Sequence, residues 1–346
     1  MITVTALHIY PIKSCGGIAI ERGLLTDKGF AYDREWLIVR DDGKFVTQRE
    51  HPRMALIETA IDADALTLNA PGMQSLVVPL AERGAPTQVI CWKDLCAAHD
   101  SGDLAAQWLT HFLGAAHRLV RFDPAHKRAS SLDWTGGREA LNQFSDGFPW
   151  LLISQGSLID LNSRLPQPLP MNRFRPNIVI DGVGAFDEDR LDELQIARAR
   201  FKVVKGCTRC IITTTDQATA ERDGVETFMS AMLTFFVMIV TEMSRSTKGS
   251  FGAGRANRFR GRYILASPFG LQTITGLRSR GKICCPCARA EAEMLEGQDG
   301  PGCLPWRAKG PVRETQPWQA NLSTNAAAGS GTTARWCRGR TPRCMC

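Results

Sequence analysis

The chain has 346 residues, of which 44% are apolar and 22% are charged. This composition excludes wholesale disorder and a polytopic membrane protein, and the length is sufficient for two domains. The net charge of +7 is unevenly distributed, because residues 1–216 carry 24 basic and 26 acidic side chains whereas residues 217–346 carry 18 and 9. Seven of the twelve cysteines also lie in the later part, so the two parts are expected to differ in structure.

The first residues alternate apolar and polar side chains, which is typical of a strand and not of a secretory signal. The longest apolar run, 228–240, has 13 residues, fewer than the roughly 20 that a membrane-spanning helix needs. We therefore expect a cytoplasmic protein with no membrane partner, whose cysteines are mostly reduced.

The first part of the chain is predicted to be rich in strands. Segments 36–40 and 44–47 flank Asp42-Gly43, a dipeptide typical of hairpin turns. Further strands at short spacing predict an antiparallel sheet or barrel; they are 55–61, 65–68, 75–80, 87–92, 95–99 and 117–122. Apolar residues at helical spacing predict one helix over 103–113, which Gly114 ends.

The middle of the chain begins with a polar segment, 123–147, that is predicted to be a loop. Ser154 is then expected to cap a helix that follows a buried strand at 150–153. Later strands are predicted at 177–180, 194–196, 200–204 and 211–215. Beyond about residue 224 the strand pattern fades, and no regular structure is assigned there.

A Cys-x-x-Cys motif, Cys207-Thr208-Arg209-Cys210, is the sharpest local feature. It is compatible with half a zinc site, a redox dithiol or two buried thiols. The zinc interpretation lacks a second ligand pair in residues 1–216, and the thioredoxin-like interpretation expects a helix where 211–215 predicts a strand. Lys205 and Arg209 supply positive charge that favours a thiolate.

Three cationic residues, Lys13, Arg34 and Arg175, lie at predicted strand ends. Each alone is compatible with a solvated surface charge. Together at the rim of a β structure they would converge on an anion, since guanidinium groups bind phosphate oxygens through paired hydrogen bonds. A thiolate beside such a rim suits a metal cofactor on a phosphorylated carrier.

Several separated motifs occur together in a fixed order: 10–15 (YPIKSC), 33–36 (DREW), 163–165 (SRL), 172–177 (NRFRPN) and 207–210 (CTRC). With this set the chain resembles the MOSC family, named for the C-terminal domain of molybdenum cofactor sulfurase, and especially the branch related to the mitochondrial amidoxime-reducing component. The resemblance implies a mainly β fold with a few helices. It also implies a MOSC N-terminal β-barrel-like domain over 1–122 and a MOSC β-barrel domain over 123–224.

The resemblance also implies a role for individual residues. Cys210 corresponds to the thiolate that ligates molybdenum in the molybdenum–molybdopterin cofactor, whereas Cys15 and Cys207 are expected to pack. The residues expected to contact the cofactor are Lys13, Ser14, Arg34, Asp146, Gly147, Phe148, Arg175, Thr208 and Arg209. Gly147 and Phe148 depart from the small hydroxyl residues that relatives often carry there.

By the same resemblance the protein is a molybdenum-dependent oxidoreductase. It would reduce N-hydroxylated small molecules, such as hydroxylamino bases and amidoximes, with electrons from a separate reductase and with no nucleic-acid partner. One alternative is a cofactor carrier or sulfur-transfer module, as in the sulfurases, whose other part uses pyridoxal phosphate. Another is an inactive truncated relative.

The last third, 225–346, is predicted to be irregular or disordered and to lie outside the family. Its cysteines lack the C-x4-C-x2-C spacing of a plant-type ferredoxin, so no iron–sulfur cluster is expected. A zinc or nucleic-acid module, a basic disordered extension and translation out of frame are the three interpretations. A frameshift is favoured, because periodicity ends abruptly and scattered Arg, Cys and Trp residues follow.

Overall fold

The computed structural model describes residues 2–224, 236–241, 263–265 and 274–279, all within the unit Met1–Cys284. The strands of these residues are β1 (Thr3–Ile9), β2 (Ile18–Ile20), β3 (Arg22–Thr26), β4 (Gly29–Phe30), β5 (Trp36–Val39), β6 (Glu58–Ile61), β7 (Ala65–Asn69), β8 (Leu76–Pro79), β9 (Pro86–Cys91), β10 (Asp94–Asp100), β11 (Arg118–Phe122), β12 (Arg128–Ala129), β13 (Leu141–Asn142), β14 (Trp150–Ser154), β15 (Ile178–Asp181), β16 (Leu191–Ile196), β17 (Ala199–Cys207), β18 (Phe236–Thr241), β19 (Tyr263–Leu265) and β20 (Ile274–Ser279).

Helices are few. The α-helices of the described residues are α1 (Asp103–Leu113), α2 (Leu132–Thr135) and α3 (Gln155–Asn162), and the 3-10 helices are Pro52–Leu56, Met171–Phe174, Asp187–Arg190 and Ile211–Thr214. The predicted fold class, mainly β with a few helices, is confirmed. No helix within the described residues is both long and apolar enough to cross a membrane.

An eight-stranded sheet runs in the order β2-β1-β15-β14-β18-β17-β16-β20. Only the β14–β15 pair is parallel within it. The first strand of the chain pairs with β15 through Leu7 and Ile178, so residues of the predicted N-terminal domain hydrogen-bond to strands of the later part. Trp150 and Phe201 pack edge to face in the core on this sheet, with ring centroids 5.6 Å apart.

The first part of the chain also builds a four-stranded sheet, β5-β11-β10-β9, and a three-stranded sheet, β6-β7-β8. Helix α1 has the predicted bounds and ends at Gly114, whose φ of 78° suits glycine. Its apolar face, which includes Trp108 and Leu109, packs in the core with residues of these sheets. The predicted Asp42-Gly43 turn is confirmed by the hydrogen bond from the Arg40 N–H to the Lys44 carbonyl.

Residues 211–215, predicted to be a strand, instead form a 3-10 helix over Ile211–Thr214. The threonine side chains explain the difference. Thr213 Oγ1 donates to the Cys210 carbonyl at 3.0 Å, and Thr214 Oγ1 donates to the Ile211 carbonyl at 2.8 Å. These local bonds favour a tight turn over an extended chain. Because a helical turn and not a strand follows Cys210, the predicted strand no longer argues against a thioredoxin-like motif.

The segment 123–147, predicted to be a loop, contains β12, α2 and β13. Buried Arg128 organises it by donating to Asn142 Oδ1 at 2.6 Å and to the carbonyls of Gln143 and Ser145. Because the buried guanidinium forms these hydrogen bonds, the backbone of residues 142–145 is held in place. Arg128 therefore fixes the segment that carries Asp146.

Three described strands, β18, β19 and β20, lie in the third of the chain that the sequence predicts to be irregular. Strand β18 (FVMIVT) is apolar and β-branched, which suits its place between β14 and β17 inside the large sheet. The predictions for the cysteine-rich remainder of the tail lie outside the described residues.

Candidate functional site

One cleft brings together all the predicted site residues. They come from five separate stretches of the chain and line the cleft together: Lys13, Ser14, Arg34, Asp146, Gly147, Phe148, Arg175, Thr208, Arg209 and Cys210. Cations, a carboxylate and a thiol therefore share one concave surface, which is the usual setting of a ligand site.

Backbone conformation singles out three of the lining residues. Ser14, Arg34 and Arg175 have φ values of 67°, 49° and 56°. Non-glycine residues in this region carry a conformational cost of about 1–3 kcal/mol each and tend to occur at functional sites. Because all three residues line the cleft, their backbone conformations support a functional role for the cleft.

The Arg34 guanidinium is held by buried polar groups. Its Nη1 donates to both carboxylate oxygens of Asp33 at 2.7 Å and to Asn177 Oδ1 at 2.9 Å. Asp33 is only 1% exposed and also accepts the Tyr10 N–H at 2.8 Å. Because each partner is fixed in turn, Arg34 presents a preorganised positive charge.

Arg175 lies beside Arg34, and the two guanidinium groups contact the same aromatic ring. Their carbon atoms lie 4.2 Å and 4.4 Å from the Tyr10 centroid. Burial lowers the pKa of Arg175 to about 10, which leaves the group charged at neutral pH. Among the described residues its buried Nη2 has no hydrogen-bond partner. A buried cationic donor without a protein acceptor is suited to an anionic ligand.

Lys13 links the first motif to the loop that carries Asp146. Its Nζ donates to the Phe144 carbonyl at 2.7 Å and to Asp146 Oδ1 at 2.5 Å. Desolvation in the cleft raises the pKa of the Asp146 carboxyl, but Lys13, Arg49 and the Trp92 N–H outweigh it and hold the pKa well below its ordinary value. Asp146 is thus ionised at neutral pH.

The Cys210 sulfur has a cationic neighbour that the motif did not identify. Arg49 Nη2 lies 3.3 Å from Cys210 Sγ. Lys205, expected to supply this charge, instead lies with its Nζ 4.9 Å from the Trp134 ring centroid. The charge beside the thiol therefore comes from a residue 161 positions away in the sequence.

Two other cysteines of the motifs differ from Cys210 in environment. Cys15 is fully buried in the core, as expected, and burial raises the pKa of its thiol to about 12. Cys207 lines the cleft, and burial raises the pKa of its thiol although Arg209 acts in the opposite direction. Both thiols thus favour the protonated form, which is the poorer metal ligand.

Sequence reasoning missed several lining residues, including Thr47, Arg49 and Ser145. Arg173 and Asn177 belong to the 172–177 motif, so that motif could have indicated them. Arg173 anchors the chain after Cys210 by donating to Asp216 and Asp223 at 2.8 Å each. No sequence motif marked Arg49.

The cleft fits a phosphorylated metal carrier. Within the described residues no group of three or more His, Cys, Asp or Glu side chains could hold a metal ion. The unpartnered Arg175 Nη2 supplies a donor for a phosphate, and the neighbouring Arg34 guanidinium is held in a fixed orientation. The donor set therefore agrees with a thiolate-ligated metal on an anionic carrier.

Comparisons with known proteins show to which family the chain belongs. The chain matches the MOSC N-terminal beta barrel domain over residues 1–116 and the MOSC domain over residues 140–259, so the second match continues past residue 224. Mitochondrial amidoxime reducing component 2 of Bos taurus is 38% identical over 234 residues, which cover 65% of this chain and 69% of the relative.

Mitochondrial amidoxime-reducing component 1 of Homo sapiens is 38% identical over 247 residues, which cover 66% of this chain and 71% of the relative. Molybdenum cofactor sulfurase of Bos taurus is 32% identical over 242 residues, 64% of this chain but only 27% of the sulfurase. The chain belongs to the family of MOSC-domain proteins that includes the amidoxime-reducing components.

Proposed function

We propose that this protein is a molybdenum-cofactor oxidoreductase that reduces N-hydroxylated small molecules with electrons from a separate reductase. The observation that carries the proposal is the shared cleft, in which the Cys210 thiol, the Arg49 guanidinium and the Arg34–Arg175 pair lie together. The amidoxime-reducing relatives support the class of substrate.

Each part of the cleft has a distinct role in this proposal. Cys210 would bind the metal as a thiolate. Arg34 and Arg175 would bind the phosphate of the carrier, because their guanidinium groups are fixed against Tyr10 and Asp33. Lys13 and Ser14, with Asp146, Gly147, Phe148, Thr208 and Arg209, would contact the pterin.

The cofactor, when bound, supplies the two-electron redox chemistry that breaks an N–O bond, while the protein supplies ligation, orientation and charge. Arg49 stabilises negative charge on Cys210 from 3.3 Å. The Asp146 carboxylate, held ionised by Lys13, accepts hydrogen bonds from Lys13 Nζ and Trp92 Nε1. Arg175, whose buried Nη2 has no partner in the described residues, would donate to the anionic carrier and offset its charge.

The test is metal analysis of purified protein from a host that makes the cofactor. We expect one molybdenum per chain in the wild type and loss of the metal in Cys210→Ala. Cys207→Ala is the matched control and should keep its molybdenum, because it lines the same cleft without being the ligand. A folded wild-type protein without molybdenum would contradict the proposal.

A carrier or sulfur-transfer role is the second candidate, because molybdenum cofactor sulfurase is among the relatives. The two functions are separated by supplying a reductant and a hydroxylamino base to the loaded protein. Stoichiometric reduction of the base supports the oxidoreductase. A loaded protein that passes its cofactor to an acceptor enzyme and leaves the base unreduced supports the carrier.

A further inference from the structure

Trp92 occupies an unusual place at the edge of the cleft. It is the first residue of the two-residue connection between β9 and β10, and its φ is 60°. Asparagine and glycine adopt this conformation readily, whereas a bulky side chain is strained there. The indole is also 45% exposed, so burial in a core does not account for the strain.

The contacts of the indole point toward the cleft. Its Nε1–H, the only hydrogen-bond donor of the side chain, donates to Asp146 Oδ1 at 3.1 Å. The guanidinium carbon of Arg49 lies 5.0 Å from the ring centroid, within the range of a cation–π contact. Phe45 supports the ring from the neighbouring segment, with centroids 5.1 Å apart.

The two cleft residues that Trp92 contacts are the partners of two proposed cofactor residues. Asp146 binds the Lys13 ammonium at 2.5 Å, and Arg49 lies 3.3 Å from the Cys210 sulfur. A single strained side chain therefore connects the cation beside the thiol with the carboxylate beside the lysine.

We propose that Trp92 is a positioning residue of the cleft, which holds Arg49 against the Cys210 sulfur and Asp146 against Lys13. The strain at residue 92 persists because these contacts require an indole there. Trp92 does not itself contact the metal or the reacting atoms. The expected effect on molybdenum binding rests on the proposed function, whereas the contacts of Trp92 do not depend on it.

The first experiment uses the full chain from a host that lacks the cofactor. Trp92→Phe removes the N–H while keeping an aromatic ring, and Asp146→Asn weakens its acceptor. We expect the shifts of the urea midpoint in the two variants to be non-additive in the double variant, because both weaken the same hydrogen bond between Trp92 Nε1 and Asp146 Oδ1. Additive shifts would overturn the inference whatever the cofactor does.

The second experiment measures how fast molybdenum leaves the loaded protein during dialysis. Trp92→Asn should lose the metal roughly tenfold faster or more, while its thermal midpoint stays equal to that of the wild type or rises, because asparagine relieves the strained φ. Leu95→Asn, at an exposed residue of the same hairpin, should match the wild type.

Comparing the rate of metal loss with the thermal midpoint distinguishes a positioning role of Trp92 from a purely structural one. A purely structural Trp92 would lower the midpoint and the metal content together, which would overturn the inference. Trp92→Asn that retains molybdenum as long as the wild type would do the same. If the wild type never contains molybdenum, the proposed function fails, and the non-additivity of the first experiment still decides whether Trp92 holds its partners.

Discussion

Single residues of the cleft show what a sequence can and cannot reveal. Lys13, Arg34 and Arg175 were identifiable because each lies in a short motif with recognisable neighbours. Arg49 was not, because its significance depends on a contact with Cys210 across 161 residues of sequence. Charge placed by tertiary structure leaves no local pattern, so the sequence indicated Lys205 and Arg209 as the charges near the motif and not Arg49.

The Asp33–Arg34 pair leads to a prediction at this scale. Asp33→Asn should lower the free energy of unfolding by roughly 3–5 kcal/mol, because it leaves a poorly exposed guanidinium without its counter-charge. Urea denaturation measures the change. Asp42→Asn, which affects a pair with both side chains about half exposed, should leave the urea midpoint close to that of the wild type, because solvent screens an exposed pair; equal effects would contradict our account of Arg34.

For helices and strands, the sequence prediction agrees with the structure where the local residue pattern is strong. Helix α1 matches its prediction because apolar periodicity and a terminal glycine indicate the same bounds. Segment 211–215 was mispredicted, because β-branched residues favour strands on average while these threonines bond to their own backbone. Side-chain hydrogen bonds of this kind are invisible to a hydrophobic pattern.

The turn that follows Cys210 yields a pH-dependent prediction. The Ala218 and Thr219 N–H groups and Arg173 lower the pKa of Asp216 below its ordinary value of 3.8. A carboxyl group whose pKa is lowered in the folded state stabilises the protein at pH values above its ordinary pKa of 3.8. This stability is lost as the pH falls through the lower pKa of the folded state.

Asp216→Asn should therefore destabilise the protein at pH 7 by about 1 kcal/mol, and the difference should shrink as the pH falls below about 3.8. Thermal unfolding across this range measures both curves. Asp62→Asn is a suitable comparison, because that carboxylate accepts similar backbone bonds without an arginine partner in the described residues. A pH-independent difference for Asp216→Asn would refute the charge-based explanation.

The large sheet includes strands that follow the last recognisable sequence motif, 207–210. Strand β18 fills the position between β14 and β17. Its absence would leave two unpaired edges inside the large sheet, which is a template for aggregation. The sequence analysis did not identify this strand, because it lies in residues 217–346, whose composition differs from that of residues 1–216.

Truncation tests this dependence. A chain that ends at residue 284 keeps the unit Met1–Cys284 and should unfold at the same midpoint as the full chain. A chain that ends at residue 224 lacks β18 and should aggregate or lose cooperative unfolding. Size-exclusion chromatography and thermal melting compare them, and a monomeric, cooperative shorter chain would show that β18 is dispensable.

The pairing of β1 with β15 has a consequence for biosynthesis. The Thr5 hydroxyl bonds to the Val179 carbonyl, 174 residues later, so the first strand made by the ribosome waits for a partner made much later. Contacts of such long sequence separation slow folding and delay closure of the structure. The cleft is also completed only after Cys210 has been made. A cofactor held in this cleft would therefore be loaded only after the chain has been synthesised beyond Cys210.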